Sequence, residues 1–166
     1  MDEQKDAIGI VGRFEWFQYG PEGEVKAHGV GENLVTTVGD NFIAARQYGT
    51  PTVMGNMKLG SAATAVTKTG AGSYVGTGDY VGGSAHAEDA SSPKAGASNN
   101  IVNHEHTWAA GEVSGTISRA SITDNATNAG EADATHTLAI FLLSPAPNMG
   151  SLDTLKVTDD ITCLGA

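Results

Sequence analysis

The chain has a single cysteine and no long apolar run. One thiol, Cys163, cannot form a disulfide within the chain, so the sequence gives no sign of an oxidising compartment. Cys163 lies in an apolar segment, and we interpret it as a buried structural thiol. No apolar run reaches the roughly 18 residues that a transmembrane helix needs. The charged N-terminus lacks the pattern of a signal peptide, so we expect a soluble protein made in a cytoplasm.

Positive charge is also scarce. Nine basic residues stand against 19 acidic ones, which gives a formal charge of -10 and a pI near 4.7. The basic residues are scattered along the chain, whereas binding to phosphate groups requires clustered cations. The composition therefore argues against a nucleic acid or an anionic membrane as a partner. Acidity of this size is typical of a soluble protein whose copies repel one another.

The patterns of known catalytic sites are missing. The Gly-x-Gly motifs that begin at Gly70 and Gly76 have neither the lysine nor the following helix of a phosphate-binding loop. No Gly-x-Ser-x-Gly elbow is present. Asp159 and Asp160 adjoin, but neighbours on a strand point to opposite faces, so we place them at a bend or on the surface. Without a convergent polar cluster we predict no enzymatic activity, no catalytic residue and no cofactor.

Two histidines are the strongest candidates for a metal site. His104 and His106 lie two residues apart, so a strand would place both on one face. Such a pair can offer two imidazoles to zinc or another transition metal. A third ligand would have to come from His86, His136 or an acidic residue, and the spacing promises none. We therefore favour a polar strand that faces solvent, and we predict no bound metal.

What the chain does have is glycine and small residues. It contains 22 glycines against five prolines, a balance typical of a mainly β protein with many turns. The apolar run at 138–143 is long enough for a strand buried on both faces. Pro145, Pro147 and Gly150 then force a turn. Residues 152–164 alternate as a second strand from Leu155 onward, with a slip at 159–160 that we interpret as a β-bulge.

The N-terminal half begins with a hairpin. Residues 8–19 alternate as a strand whose aromatic face carries Phe14 and Trp16, and the turn at 20–23 leads into a second strand at 24–30. Helical spacing predicts one amphipathic helix over 33–49, with Asn33 as its N-cap. Further strands are predicted at 53–60, 101–109 and 115–123, the last two joined by a turn at 110–112.

These elements predict a single mainly β domain over residues 1–166. We expect a β-sandwich, of jelly-roll or immunoglobulin-like type, with one short helix. Residues 61–100 are rich in glycine, alanine and serine, and we predict an extended loop or arm that gains order against a neighbour. The predicted core consists of the large apolar residues Phe14, Trp16, Leu34, Phe42, Trp108, Leu138, Ile140, Phe141, Leu155 and Val157.

Four segments carry a resemblance to a known class of proteins. They are Glu32-Asn-Leu-Val-Thr-Thr-Val-Gly-Asp-Asn, Met57-Lys-Leu-Gly-Ser-Ala-Ala-Thr-Ala, Thr107-Trp-Ala-Ala-Gly-Glu and Leu152-Asp-Thr-Leu-Lys-Val-Thr-Asp-Asp-Ile-Thr, the last followed by a terminal Leu-Gly-Ala. In this order they resemble small structural proteins of tailed bacteriophages, which share an NLVT-x-x-G helix, an LG-x-G strand, a TW-x-AG turn and an ending similar to DTL-x-VTW-x-I. The chain departs from that ending at Asp159, which stands where the pattern has tryptophan. The resemblance covers most of the chain outside roughly 70–100 and implies no catalytic residues.

The resemblance implies a place in the virion and leaves two positions open. One is a decoration or cement protein bound outside the capsid lattice, with the major capsid protein as its partner. The other is a neck or tail component, such as a collar or fibre-base adaptor. Small size, acidity and a small-residue arm favour the first, and three-fold axes favour a homotrimer. A host-glycan-binding module is a third alternative, in which exposed tyrosines would stack on sugars: Tyr19, Tyr48, Tyr74 and Tyr80. We favour the interpretation in which these tyrosines pack at the edge of the core or in an interface.

Overall fold

The computed structural model describes residues 9–45, 49, 54–62, 64–76, 79–81, 86–87, 101–124 and 136–164. It is mainly β, with one α-helix, α1 (Thr37–Ala45), and a short 3-10 helix, Gly70–Ser73. The strands are β1 Gly9–Tyr19, β2 Val25–Val35, β3 Asn56–Gly60, β4 His86–Ala87, β5 Ile101–Trp108, β6 Gly115–Thr116, β7 Arg119–Thr123, β8 Thr137–Leu142, β9 Asn148–Met149 and β10 Thr154–Leu164. Neither described helix is long and apolar enough to cross a membrane.

Eight of the strands form one antiparallel sheet that nearly closes on itself. Its order is β4-β3-β7-β8-β2-β1-β10-β5, and its two end strands, β4 and β5, approach each other. β6 and β9 pair separately as a two-stranded ribbon. The strand predicted at 101–109 is present as β5, but the strand predicted at 115–123 is divided into β6 and β7, and neither forms a hairpin with β5. β5 pairs with β10, whereas β7 pairs with β3 and β8.

Strand β2 joins two halves of this sheet. Its first part pairs with β1 as far as Asn33, and its last two paired residues, Leu34 and Val35, pair with β8. One half is therefore β5-β10-β1-β2 and the other is β2-β8-β7-β3-β4. The inner faces of the two halves share one core, in which the rings of Phe14 and Phe141 stack with centroids 4.4 Å apart.

The C-terminal strands follow the predicted positions but not the predicted irregularity. β8 is buried on both faces, as its uninterrupted apolar run indicates. β10 keeps one register against β1 and β5 through residues 159 and 160, so the β-bulge predicted there is wrong. The alternation that starts at Leu155 simply continues. Asp159 takes an inward position between Val157 and Ile161, and all three are buried.

The helix is shorter than predicted and begins later. β2 continues through Leu34 and Val35, because their pairing with β8 outweighs the local helical pattern. The N-cap is Thr36 and not Asn33, since the Thr36 hydroxyl accepts a hydrogen bond from the Gly39 amide at 3.0 Å. Helix α1 then contacts β8 and β2.

Part of the region predicted as an arm packs on the chain itself. Gly72, Ser73 and Val75 are buried, and the 3-10 helix contacts β8. Asp79 is 8% exposed and forms a buried ion pair with Arg119 on β7, with Nε and Oδ2 2.5 Å apart. Residues 63, 77–78, 82–85 and 88–100 lie outside the described residues.

The large apolar residues predicted to form the core differ in how deeply they are buried. Leu34 and Phe42 are only partly buried, Phe42 at the margin of the main cluster. The others are at most 4% exposed: Phe14, Trp16, Trp108, Leu138, Ile140, Phe141, Leu155 and Val157.

Candidate functional site

A small group of polar side chains lies on the inner face of the half formed by β5, β10, β1 and β2. Strand register places His104 of β5 directly opposite Asp159 of β10, and His106 opposite Val157. His104 is 6% exposed and His106 is 0% exposed. The two histidines do share one face, but the prediction that this face meets solvent is wrong. It faces the core because the neighbouring inward positions of β10 are buried, as is Trp108 on β5 itself.

Asp159 is the centre of this group. Its exposure is 0%, and the Asn33 amide nitrogen, Nδ2, donates to its two carboxyl oxygens at 2.8 and 2.9 Å. Asn33 lies on β2, so its side chain must cross β1 to reach β10. Gly12 of β1 makes this possible, because a Cβ atom there would lie 1.9 Å from the Asn33 amide. The sequence-based placement of Asp159 at a bend or on the surface is therefore wrong.

Burial controls the protonation of Asp159. Desolvation raises its pKa from 3.8 to about 8, against the hydrogen bond from Asn33, which lowers it. The charge of Asp160, which is exposed, adds a smaller upward shift of the pKa. Asp159 therefore carries a proton at neutral pH. A neutral buried carboxyl group can donate one hydrogen bond and accept others, but it is neither a nucleophile nor a base in that state.

The candidate metal ligands do not converge in the described part of the chain. Among those residues, no three histidine, cysteine or acidic side chains are placed to hold a metal ion. His136 pairs instead with Asp124, with Nδ1 and Oδ1 2.6 Å apart. The side chains of His86 and Cys163 are not among those described. We therefore do not assign His104 and His106 as metal ligands.

A second buried carboxylate, Asp153, has the opposite character. It is 2% exposed and accepts hydrogen bonds from Lys26 Nζ at 2.8 and 2.9 Å, Gln18 Nε2 at 2.6 Å and the Gly150 amide at 2.8 Å. The bond from Lys26 is the largest of the effects that lower its pKa from 3.8 to about 2. Asp153 thereby fastens the turn before β10 to the β1–β2 hairpin.

On the outward face of the same half, aromatic side chains stack on one another. Phe17 stacks on His28 with centroids 4.3 Å apart and on Tyr19 at 5.9 Å. His28 also contacts Glu15, with Nε2 and Oε1 2.8 Å apart. Because Tyr19 stacks on Phe17, part of the Tyr19 ring is already in contact within the chain, which leaves less flat surface for a sugar to stack on.

The other tyrosines considered for glycan binding are only partly available. Tyr74 and Tyr80 are half-buried, and Tyr80 bridges to Gly60 of β3. Tyr48 lies outside the described residues.

Sequence reasoning missed Asn33 and Gly12, the two residues that complete the Asp159 group. The local sequence indicates that Asn33 is a helix cap. No local sequence pattern predicts that its side chain lies beside residues 12 and 159. The signal for Asp159 itself was present, since counting by twos from Leu155 gives an inward position. In comparisons with known proteins, the chain matches no family model, no curated protein and no solved structure.

Proposed function

We propose that this protein is a non-enzymatic structural component of a tailed-bacteriophage virion, and that it decorates and stabilises the outer capsid lattice. The observation that carries the proposal is the ordered set of four sequence segments that resemble such proteins. In the fold, Glu32-Asn-Leu-Val-Thr-Thr-Val-Gly forms the β2–α1 junction and Met57-Lys-Leu-Gly lies in β3. The other two segments form the end of β5 with its turn, and most of β10. The residues that resemble those proteins therefore lie mainly in strands and in the junctions between elements, where they determine the fold.

The state of the buried charged groups supports a role in shape and contact. Asp153 is held by three neighbouring groups, and Asp79 is paired with Arg119. Asp159 is held by Asn33 inside the sheet. Groups bound in this way fix strands and turns relative to one another, whereas an acid–base catalyst must reach a substrate.

We further propose that the two halves of the sheet stack as a β-sandwich, of jelly-roll or immunoglobulin-like type. The stacking of Phe14 on Phe141 supports this arrangement, because the two residues belong to different halves. The sandwich would be a rigid module that presents its loops and outer faces to a partner.

The proposed partner is the major capsid protein, and the proposed assembly is a homotrimer at the three-fold positions of the lattice. A charge of -10 supports a module that stays soluble and unaggregated before it binds. The proposed contact is the arm predicted over 61–100, of which residues 63, 77–78, 82–85 and 88–100 lie outside the described part of the chain. A neck or tail component is the alternative, and the stacking of Tyr19 on Phe17 makes a glycan-binding role the weaker third candidate.

Reconstitution on capsids tests the proposal. Purified protein is mixed with phage capsids that lack it and, as a matched control, with capsids that already carry it. We expect the protein to co-sediment with the first and not the second, and to raise the temperature at which the bare capsids rupture. Binding to isolated tails but not to capsids would instead establish the alternative. Failure to bind either particle would overturn the virion assignment.

A further inference from the structure

The Asp159 group joins three strands at the place where β2 changes partners. Asn33 belongs to the last residue pair between β2 and β1, and Leu34 belongs to the first pair between β2 and β8. The hydrogen bonds from Asn33 to Asp159 therefore tie β10 to the junction between the two halves of the sheet. Breaking them would remove the side-chain link between β10 and the end of β2, while the backbone pairing of both strands with β1 remains.

The surroundings of Asp159 contain few charges. On β5, His104 lies directly opposite and His106 follows two residues on, while β1 contributes Phe14 and Gly12 on this face. On β2 the facing side chain is the neutral Asn33. The next residue of β10, Asp160, is exposed, and β4 approaches β5 through a segment whose side chains are not described. An ionised Asp159 would thus have no described cation with a fixed positive charge beside it.

The Asn33 amide can serve either form of the carboxyl group. In the structure its nitrogen donates to both carboxyl oxygens, while its oxygen, Oδ1, is buried without a hydrogen-bond partner among the described residues. If the amide rotates, that oxygen can accept the proton of a neutral Asp159 while the nitrogen still donates. The neutral pair is therefore satisfied inside the core, whereas the charged form is left without water.

We propose that Asp159 and Asn33 form a proton-linked latch, which holds β5, β10 and β2 together while Asp159 is protonated and opens as Asp159 loses its proton. The opening is local to β5 and β10. β5 is the end strand of the sheet, and its His104 lies directly opposite Asp159, so its detachment admits water to the carboxyl group. The proton leaves to solvent, and no covalent bond changes.

The direction of the pH dependence follows from linkage. The closed state keeps the proton up to a pH of about 8, because burial raises the pKa of Asp159. In the open, solvated state the pKa returns to its ordinary value of 3.8. Between these values the closed state binds one more proton than the open state, so each unit of pH should lower the closed-to-open ratio about tenfold.

Hydrogen exchange of the backbone amides of β5 and β10 tests the latch. Exchange is measured between about pH 6.5, the ordinary histidine pKa, and about pH 7.5, and corrected for its intrinsic pH dependence. We expect protection in the wild type to fall about tenfold over this range, and protection in Asp159→Asn to stay level. Asp160→Asn, which removes the adjacent exposed carboxylate, should behave as the wild type. Level protection in the wild type, or a fall in Asp159→Asn that matches it, would overturn the latch.

Infrared spectroscopy of the wild type keeps the test decisive even if Asp159→Asn does not fold. A protonated carboxyl group gives a carbonyl band that an ionised carboxylate lacks. We expect such a band at about pH 6.5, and we expect it to fade as the pH rises through about 8, where the closed state loses its proton. A wild-type spectrum with no protonated carboxyl band at that pH would by itself refute the proposal.

Discussion

The stacking of Phe14 on Phe141 makes the arrangement of the two halves measurable. Phe14 belongs to β1 and Phe141 to β8, yet their ring centroids are 4.4 Å apart with an interplanar angle of 22°. Phe14 is 3% exposed and Phe141 is 0% exposed. Replacing either by leucine keeps an apolar side chain but removes the ring, which should cost on the order of 1 kcal/mol of unfolding free energy. Stacked aromatic pairs contribute about 0.5–1.5 kcal/mol beyond buried area.

A double-mutant cycle isolates that last contribution. Unfolding free energies of the wild type, Phe14→Leu, Phe141→Leu and the double variant are measured by urea denaturation. We expect a coupling energy of about 1 kcal/mol, because the second replacement has no stacking left to lose. The control cycle pairs Phe141→Leu with Phe17→Leu. Phe17 lies on the same strand as Phe14 but on its outward face, so this cycle should be additive within about 0.3–0.5 kcal/mol. A Phe14–Phe141 cycle as additive as the control would show that the two halves do not face each other in this way.

Three further substitutions test other parts of the structure. Gly12→Ala places a Cβ 1.9 Å from the Asn33 amide and should cost about 1–3 kcal/mol in urea denaturation, and almost nothing in an Asn33→Ala background. Asp153→Asn should remove stability that the wild type has above pH 3.8 and loses as pH falls toward about 2, because its folded-state pKa is depressed. Melting curves of both proteins across that range check this, and identical curves would contradict it. Trp108→Ala, at a position with 0% exposure, should cost roughly 3–5 kcal/mol and abolish soluble folding, and an unchanged urea midpoint would show that Trp108 is not a core residue.

The strands that could be predicted from the sequence are those whose own residues carry the signal. The apolar run of β8 and the alternating aromatic face of β1 each indicate a strand without reference to any other part of the chain. The pairing of strands is different, because β5 joins β10 and β7 joins β3 through contacts that no local pattern records. For the same reason the local pattern predicts a helix at Leu34 and Val35, although both residues pair with β8 in the sheet.

The Asp159 group shows why a buried polar site is harder to predict than a core. An aspartate between Val157 and Ile161 breaks an apolar alternation, and surface exposure is the usual explanation of such a break. The position is buried because Asn33 supplies a hydrogen bond and Gly12 leaves space for it, and both come from distant parts of the chain. The histidine pair was misplaced for a related reason. The strand face was assigned correctly, but whether that face meets solvent depends on the opposite half of the sheet.

The most direct test of the proposed virion role is the number of copies of this protein in each purified phage particle. Quantitative mass spectrometry against the major capsid protein gives that number. Hundreds of copies per particle are expected for a protein that decorates the capsid lattice. A small multiple of three, six or twelve would place it in the neck or tail, and its absence from particles would contradict a structural role in the virion.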